Sequence, residues 1–379
     1  AAWATLLPRL PELKGELGLT NSDFGLALAA FPAGALVAGA FAAILIRRFG
    51  SSLIAWIGMI ASMIALVGAA ASPAYWVFLA TACLAGCADS ITDVAQNHHA
   101  LRVQKLMKRS IINSYHAMWS VGALVGAGVA PGAIAQHLHR VVHLVIMCAS
   151  LLIMSTIGWR SMLAGPEPSE TVDDPGDGTL NPVWKKMSPV MVVVLLSIMA
   201  IAGVVIEDSP GSWSTVYMRN ELDVAPSLAP LGYVFGMAFH FLGRVSGDPL
   251  VNRYGQRAMA LVGGVLAIIG MGVAIAWPTM ITTIMGYSLA SYGVATIIPS
   301  IFEAADILPG FKPGTALMIV SLVLRVGYIA TPLVVGLIAD ATAIRWGLLV
   351  VPMSGLVVAM LAWMLSPRKQ SASVPVPTP

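Results

Sequence analysis

Asp89, Asp93 and Asn97 stand at i, i+4 and i+8 inside an apolar stretch. At ~100° per residue they drift by only about 80°, so a helix carries them as one polar stripe. A charged side chain at the centre of a hydrocarbon layer costs at least ~2.5–3.5 kcal/mol, so the stripe has to face a protein interior, where a carboxylate can take up and pass on a proton. Asp89 and Asp93 are the candidates for that proton chemistry and Asn97 for hydrogen-bonding a solute; pairing with a neighbouring helix is the alternative for each. Glu207 is a third carboxylate of this kind, next to Asp208 and ahead of Pro210 and Gly211, which are expected to break the helix and bend it. His116, with Trp119 nearby and Ser120 four residues on, can exchange a proton near neutral pH or make a structural hydrogen bond. Arg325 lies mid-run, too deep to reach either surface, and requires a carboxylate supplied by the protein or by a bound anion. Trp119, Trp213, Tyr287 and Tyr292 offer flat faces on which a sugar-like or aromatic solute could stack, although such residues more often fill cores or interfacial belts. His240, Arg244 and Asp248 recur every four residues and read as an ion-pair ladder able to hold one conformation shut.

Other chemistries lack their residues. The sequence has no H-E-x-x-H spacing and no phosphate-cradling loop, so neither metal-dependent hydrolysis nor ATP-driven work has a motif here. His98-His99 point about 100° apart on a helix, and His137, His139 and His143 do not share a face, so no metal and no cofactor are expected. Cys83, Cys87 and Cys148 read as small packing residues, and no basic arm with interleaved aromatics indicates a nucleic-acid partner.

The elements that must hold these residues follow from composition. Of 379 residues 58% are hydrophobic and 10% charged, against roughly 25% charged in a soluble domain. Apolar runs at 23–46, 53–72, 75–97, 113–136, 141–163, 189–213, 229–251, 258–277, 280–302, 314–337 and 346–366 are each long enough to cross a bilayer. The spans must be helices, because lipid-exposed backbone has to satisfy its hydrogen bonds within the segment. Residues 1–7 are apolar but short, and Pro8-Arg9-Leu10-Pro11-Glu12 reads as the exit from a first helix that begins upstream. Alternate loops carry fourteen and five Lys or Arg residues, which places the richer set, including Arg47, Arg48, Arg102 and Lys105, in the cytoplasm. Residues 164–188, rich in Pro, Gly and acidic residues, read as a flexible cytoplasmic linker between bundles at 1–163 and 189–366, with a cytoplasmic tail at 367–379.

The halves repeat. Arg48-Phe49-Gly50 returns as Arg253-Tyr254-Gly255, and Glu16-Leu17 as Glu221-Leu222, both at an offset of 205. If the repeat holds, roughly 16 residues of the first helix are missing, and the parent is a twelve-helix protein with both ends in the cytoplasm.

These residues resemble the major facilitator superfamily of secondary transporters. Gly247-Asp248 through Arg253-Tyr254-Gly255-Gln256-Arg257 keeps much of that family's G-x-x-x-D-R-x-G-R loop, whereas in the first half Arg47 stands where the acidic residue belongs and Ser52 where a basic one does. Asp93-Val94-Ala95-Gln96-Asn97, Ser114-Tyr115-His116, and Glu207 to Ser214 with Tyr217 and Arg219 are similar to the YbjJ-like, fucose-permease-like branch. The resemblance implies an all-α membrane fold of two pseudo-symmetric six-helix bundles about a central cavity, with Arg244, Asp248, Arg253, Gly255 and Arg257 as gating residues. It also implies a monomer in the bacterial inner membrane but no settled substrate; the intramembrane carboxylates and the lack of a nucleotide site themselves point to H+ coupling and a small solute, sugar-like or amphipathic, and Arg325 to an anionic group on that solute or to an internal Arg–carboxylate pair. Drug/H+ efflux and a non-transporting sensor on the same fold are the alternatives.

Overall fold

The computed structural model describes residues 2–107, 112–163, 184, 186–311 and 314–366, with backbone alone at 40, 105 and 112–117. Among the described residues the chain is helical and contains no strand. The first half comprises α1 (Ala2–Leu6), a 3-10 turn (Leu7–Arg9), α2 (Leu10–Glu16), α3 (Asn21–Phe49), α4 (Ser51–Ala70), α5 (Tyr75–Met107), α6 (Ile112–Ala135) and α7 (Arg140–Arg160). The second comprises α8 (Pro189–Ser209), a π-helical turn (Pro210–Ser214), α9 (Thr215–Asn220), α10 (Leu231–Tyr254), α11 (Gln256–Ala276), α12 (Met280–Val294), α13 (Ile297–Asp306), α14 (Thr315–Ala341), α15 (Ile344–Gly347) and α16 (Val350–Leu361). Ten stretches, some joining consecutive helices such as Pro189–Asn220, are long and apolar enough to cross a membrane. The helix α10 is of similar length but carries the polar residues His240, Arg244, Asp248 and Arg253.

Local chemistry sets the starts of these helices. Thr20 accepts the N–H of Asp23 ahead of α3, Ser188 accepts that of Met191 ahead of α8 with Pro189 at the first helical position, and Thr279 and Thr282 cap α12 reciprocally. Three expectations need correcting. Pro8 and Pro11 do not take the chain out of helical winding; α1 ends at Leu6, but each proline sits in the first turn of a new element, where a missing N–H costs nothing, and the chain stays helical to Glu16. Pro210 and Gly211 do not break the helix either. The winding widens into a π-turn that absorbs the missing donor and continues through α9 to Asn220. Within the expected linker, Trp184 is buried and donates its indole N–H to the carbonyl of Met364 at 3.1 Å, so that part is tied to the second half; residues 164–183 lie outside the described residues.

The 205-residue repeat is visible in atomic detail. Gly50 and Gly255 both have positive φ, 83° and 87°, and donate to Ile46 and Val251, four residues back. A side chain at either would be strained, which is why the helix-to-helix corner takes glycine twice. Arg48 lies over the ring of Phe49 at 5.3 Å, as Arg253 does over Tyr254. At the other end Arg140 donates through Nε to the carbonyl of Ala70 at 2.7 Å, and Arg345, 205 residues on, donates through Nε to that of Ile275 at 2.7 Å. Glu16 pairs with Arg140, and its counterpart Glu221 accepts the backbone N–H groups of Ile344 and Arg345.

Helices α1–α7 pack mainly on one another, as do α8–α16, and the two sets meet along α3 with α14 and along α6 with α10. One end of the molecule carries the loops rich in Lys and Arg, here the basic end; the opposite end, here the sparse end, includes Asn21 and Asp340. At the sparse end α3 and α14 are in close contact: Gly25 lies against the backbone of Pro332, and Gly336 against that of Asn21. Along the same face of α14 exposure rises from buried Pro332 and Gly336 through half-buried Arg325 to Leu322 (54%) and Met318 (65%). Along α3 it rises likewise, from Gly25 and Ala29 through Pro32 and Leu36 to Ala43. The two helices therefore diverge, and the cleft between the halves is shut at the sparse end and open toward the basic end. On α6 Gly128 and Gly132 face open space, whereas tight approaches occur at Gly34 against Cys83, Gly263 against Gly293 and Gly264 against Gly355.

Candidate functional site

Helix α5 has two open sectors. Cys83, Gly86, Cys87 and Ser90 meet α3, while Thr81, Ala88 and Thr92 meet α4. Between them on one side lie exposed Val77, Ala80 and Leu84; on the other, about 150° away, lie exposed Asp89 and Asp93, with half-buried Asn97 flanking them. The apolar sector suits lipid and the carboxylate sector suits the cleft. Asp89 makes no hydrogen bond or ion pair with a described residue, whereas Asp93 has a partner.

On the facing half Glu207, near the end of α8, lies 3.6 Å from Nη2 of Arg244 and 4.0 Å from Nε2 of His240. Arg244 also donates through Nε to His240 at 2.8 Å. His240 is buried and Arg244 partly exposed, so Glu207 neutralises a cation that would otherwise stand alone in the membrane. The expected ladder does not extend to Asp248: that side chain is exposed and unpaired among the described residues, because Arg244 turns the other way, to Glu207. Asp208 accepts from the Ser212 hydroxyl across the π-turn. Tyr328 lies within reach of the charges of Glu207, Asp208, Arg244 and Arg325, which ties α14 to this cluster. Arg325 itself has no hydrogen bond or ion pair with a described residue.

The remaining candidates are dispersed. Trp213 is fully buried, edge-on to Phe24 at 5.5 Å between ring centres, and Tyr287 is fully buried as well, so neither presents a ring to a solute in this conformation. Tyr292 is engaged with the Ser246 hydroxyl at 3.1 Å where α12 meets α10. Trp119 is exposed on α6. The side chain of His116 lies outside the described residues. Arg253 and Arg257 are exposed at the basic end, with Gly255 buried at the corner between them. Sequence reasoning missed Asp340, whose two carboxylate oxygens accept the backbone N–H groups of Asn21 and Ser22 at 2.8 and 2.7 Å. The signal was an acidic residue near the end of one long helix and a Thr-Asn-Ser-Asp start on another; nothing in the spacing says that they meet.

The profile of the Major Facilitator Superfamily matches residues 1–305. The chain belongs to this family. It is 28% identical over 348 residues to an uncharacterized MFS-type transporter of Yersinia pestis, covering 91% of this chain and 86% of that one. It is 27% identical to the uncharacterized transporter y4wD of Sinorhizobium fredii, covering 95% and 92%, and 26% identical to the membrane protein MosC of Rhizobium meliloti, covering 95% and 84%. In structure it is similar to a single-residue variant of the nucleoside transporter NupG, with TM-score 0.73, 13% identity and 96% of each chain covered. It is also similar to a bacterial homologue of the human lysosomal transporter Spinster, with TM-score 0.66, 12% identity and 96% and 92% covered. This major facilitator protein is thus a multi-pass membrane transporter, related to transporters rather than to enzymes.

Proposed function

We propose that this protein is a proton-coupled secondary transporter that moves a small solute by alternating access, with the halves 1–163 and 189–366 rocking about a central site. The observation that carries the reading is the divergence of α3 and α14, closed at Gly25 and Pro332 and open at Ala43 and Met318. Such a wedge exposes a central site to one side at a time. The positive-inside rule makes the basic end cytoplasmic, in a bacterial inner membrane, so this arrangement is open to the cytoplasm.

Coupling is assigned first to Glu207. While ionised it holds Arg244 and faces His240; once protonated it releases the Arg244 charge into the cleft, which alters the relative energies of the two states. Asp208, Arg244 and Arg325 lie with it around Tyr328, and Asp89 and Asp93 occupy exposed positions on α5 in the other half. Met318 and Leu322 on the cleft face favour a second reading, efflux of amphipathic compounds. Flux of radiolabelled solutes into and out of proteoliposomes, with and without an imposed pH gradient, tests both readings. Movement that ignores the gradient removes the proton, and movement of apolar cations alone establishes efflux.

A further inference from the structure

We infer that the sparse end opens in a fixed order, parting first where α6 meets the approach to α10 and last where α3 meets α14; this rests on the rocking of the halves proposed above. The 205-residue repeat makes the two seams counterparts, since α3 corresponds to α10 and α14 to α6. Both seams join the halves, and they are not equally fastened. On one of them Asp340 takes the N–H groups of Asn21 and Ser22. Shifted by 205, Asp340 becomes Ala135 and Asn21 becomes Pro226, so the acceptor and one of the two donors are gone. The close backbone approaches are replaced in the same way. Gly336 lies against Asn21 and Gly25 against Pro332; the corresponding pairs are Pro131 with Pro226 and Pro230 with Ala127. Glycine lets two backbones touch, whereas a pyrrolidine ring occupies that space.

The packing differs accordingly. Pro332 and Gly336 are buried, while Pro131 is half-buried and Pro226 exposed. Helix α3 begins at Asn21, but α10 begins only at Leu231, the counterpart of Leu26, and has no side-chain cap among the described residues. A cavity of about 390 Å³ lies here between the halves, lined by Pro8, Glu12 and Ile134 from the first and by Thr215, Pro226 and Ala229 from the second. The Thr215 hydroxyl is buried without a partner among the described residues, so water that enters the cavity has a group to bind. Regions with few packed contacts open at lower free energy than well-packed ones. The α6–α10 edge therefore leads, and Asp340 with the two glycines holds the α3–α14 edge until the halves swing.

The test is double electron–electron resonance on two label pairs in nanodiscs, with Cys83, Cys87 and Cys148 replaced. Gln136→Cys with Leu228→Cys spans the α6–α10 edge, and Leu26→Cys with Leu337→Cys the α3–α14 edge; each of these side chains is exposed. The expected result is a longer-distance component at least twice as populated across the first pair as across the second. Asp340→Asn should raise the second toward the first and leave the first nearly unchanged. Equal populations across the two pairs, or a larger one across α3–α14, overturn the inference, because the halves then swing without a leading edge. So does Asp340→Asn raising both alike. Should that variant fail to elute as folded protein, the two pairs without it still decide. A longer component in neither pair refutes the rocking on which the order rests, whereas equal components in both leave the rocking intact and remove only the order.

Discussion

Asp340 Oδ1 accepts the backbone N–H of Asn21 at 2.8 Å, so a carboxylate from the second half of the chain caps the first turn of a helix in the first half. Its other oxygen takes the next N–H, from Ser22, at 2.7 Å. The first turn of α3 has donors without helical acceptors and the positive end of a helix dipole, and Asp340 satisfies both needs from across the seam. Opening the sparse end requires this contact to break, which makes it a latch on the state described here.

Asp340→Asn leaves one acceptor oxygen for two donors and removes the charge. Loss of a helix cap costs about 0.5–2 kcal/mol, and the cost falls on the sparse-end-closed state alone. The variant is expected to shift the population toward the arrangement closed at the basic end, read as a shorter distance between labels on α3 and α14 there. An unaltered distribution would show that the latch carries no weight.

Gly25→Ala tests the seating of the same seam. A methyl group at Gly25 would lie within van der Waals contact of the Pro332 carbonyl oxygen, and backbone cannot yield as a flexible side chain does. The prediction is folded, monodisperse protein with a sparse end more accessible to a thiol reagent. Wild-type accessibility would count against the packing described.

The sparse end also has a pH signature. The hydrogen bond from Arg140 holds the Glu16 carboxyl below its ordinary value of 4.5. A depressed carboxylate contributes stability that is present above the ordinary value and is lost as pH falls through the folded one. The melting temperature should therefore decline as pH drops below about 4.5, and Glu16→Gln should flatten part of that decline. Glu16 is more than half exposed, so the effect is small, within the ~0.2–1 kcal/mol of a surface pair. An identical profile in the variant excludes the pair as its source.

Glu207→Gln should uncouple rather than inactivate. Glutamine keeps the shape beside Arg244 but cannot release a proton, so solute exchange at equal pH should persist while accumulation driven by a pH gradient disappears. Loss of exchange as well, in protein that still binds solute, would assign Glu207 to the gate instead.

The residues show which parts of this account sequence could supply. Helix number, the duplication and its offset were legible because they rest on composition and on local motifs such as Arg-aromatic-Gly, which fix their own backbone at Gly50 and Gly255. The Arg140 and Arg345 clamps obey the same offset yet carry no pattern, since each donates to a backbone carbonyl that any residue could supply. The polar stripe at Asp89 and Asp93 was legible from helical spacing. The turning of Arg244 away from Asp248 was not, because both neighbours lie at permitted distances along sequence and only packing between α8 and α10 selects Glu207. Proline misled twice, at Pro8 and Pro210, where the α-helix gives way to a 3-10 or a π turn and the chain stays helical.

The central claim, that the halves rock about the wedge between α3 and α14, is tested most directly by double electron–electron resonance between spin labels at Ala43→Cys and Met318→Cys, with Cys83, Cys87 and Cys148 replaced. The prediction is two distances in one sample, the longer from the divergence described here and the shorter from a state closed at the basic end, with Asp340→Asn enriching the shorter. A single distance, unmoved by that substitution and by pH, would contradict it.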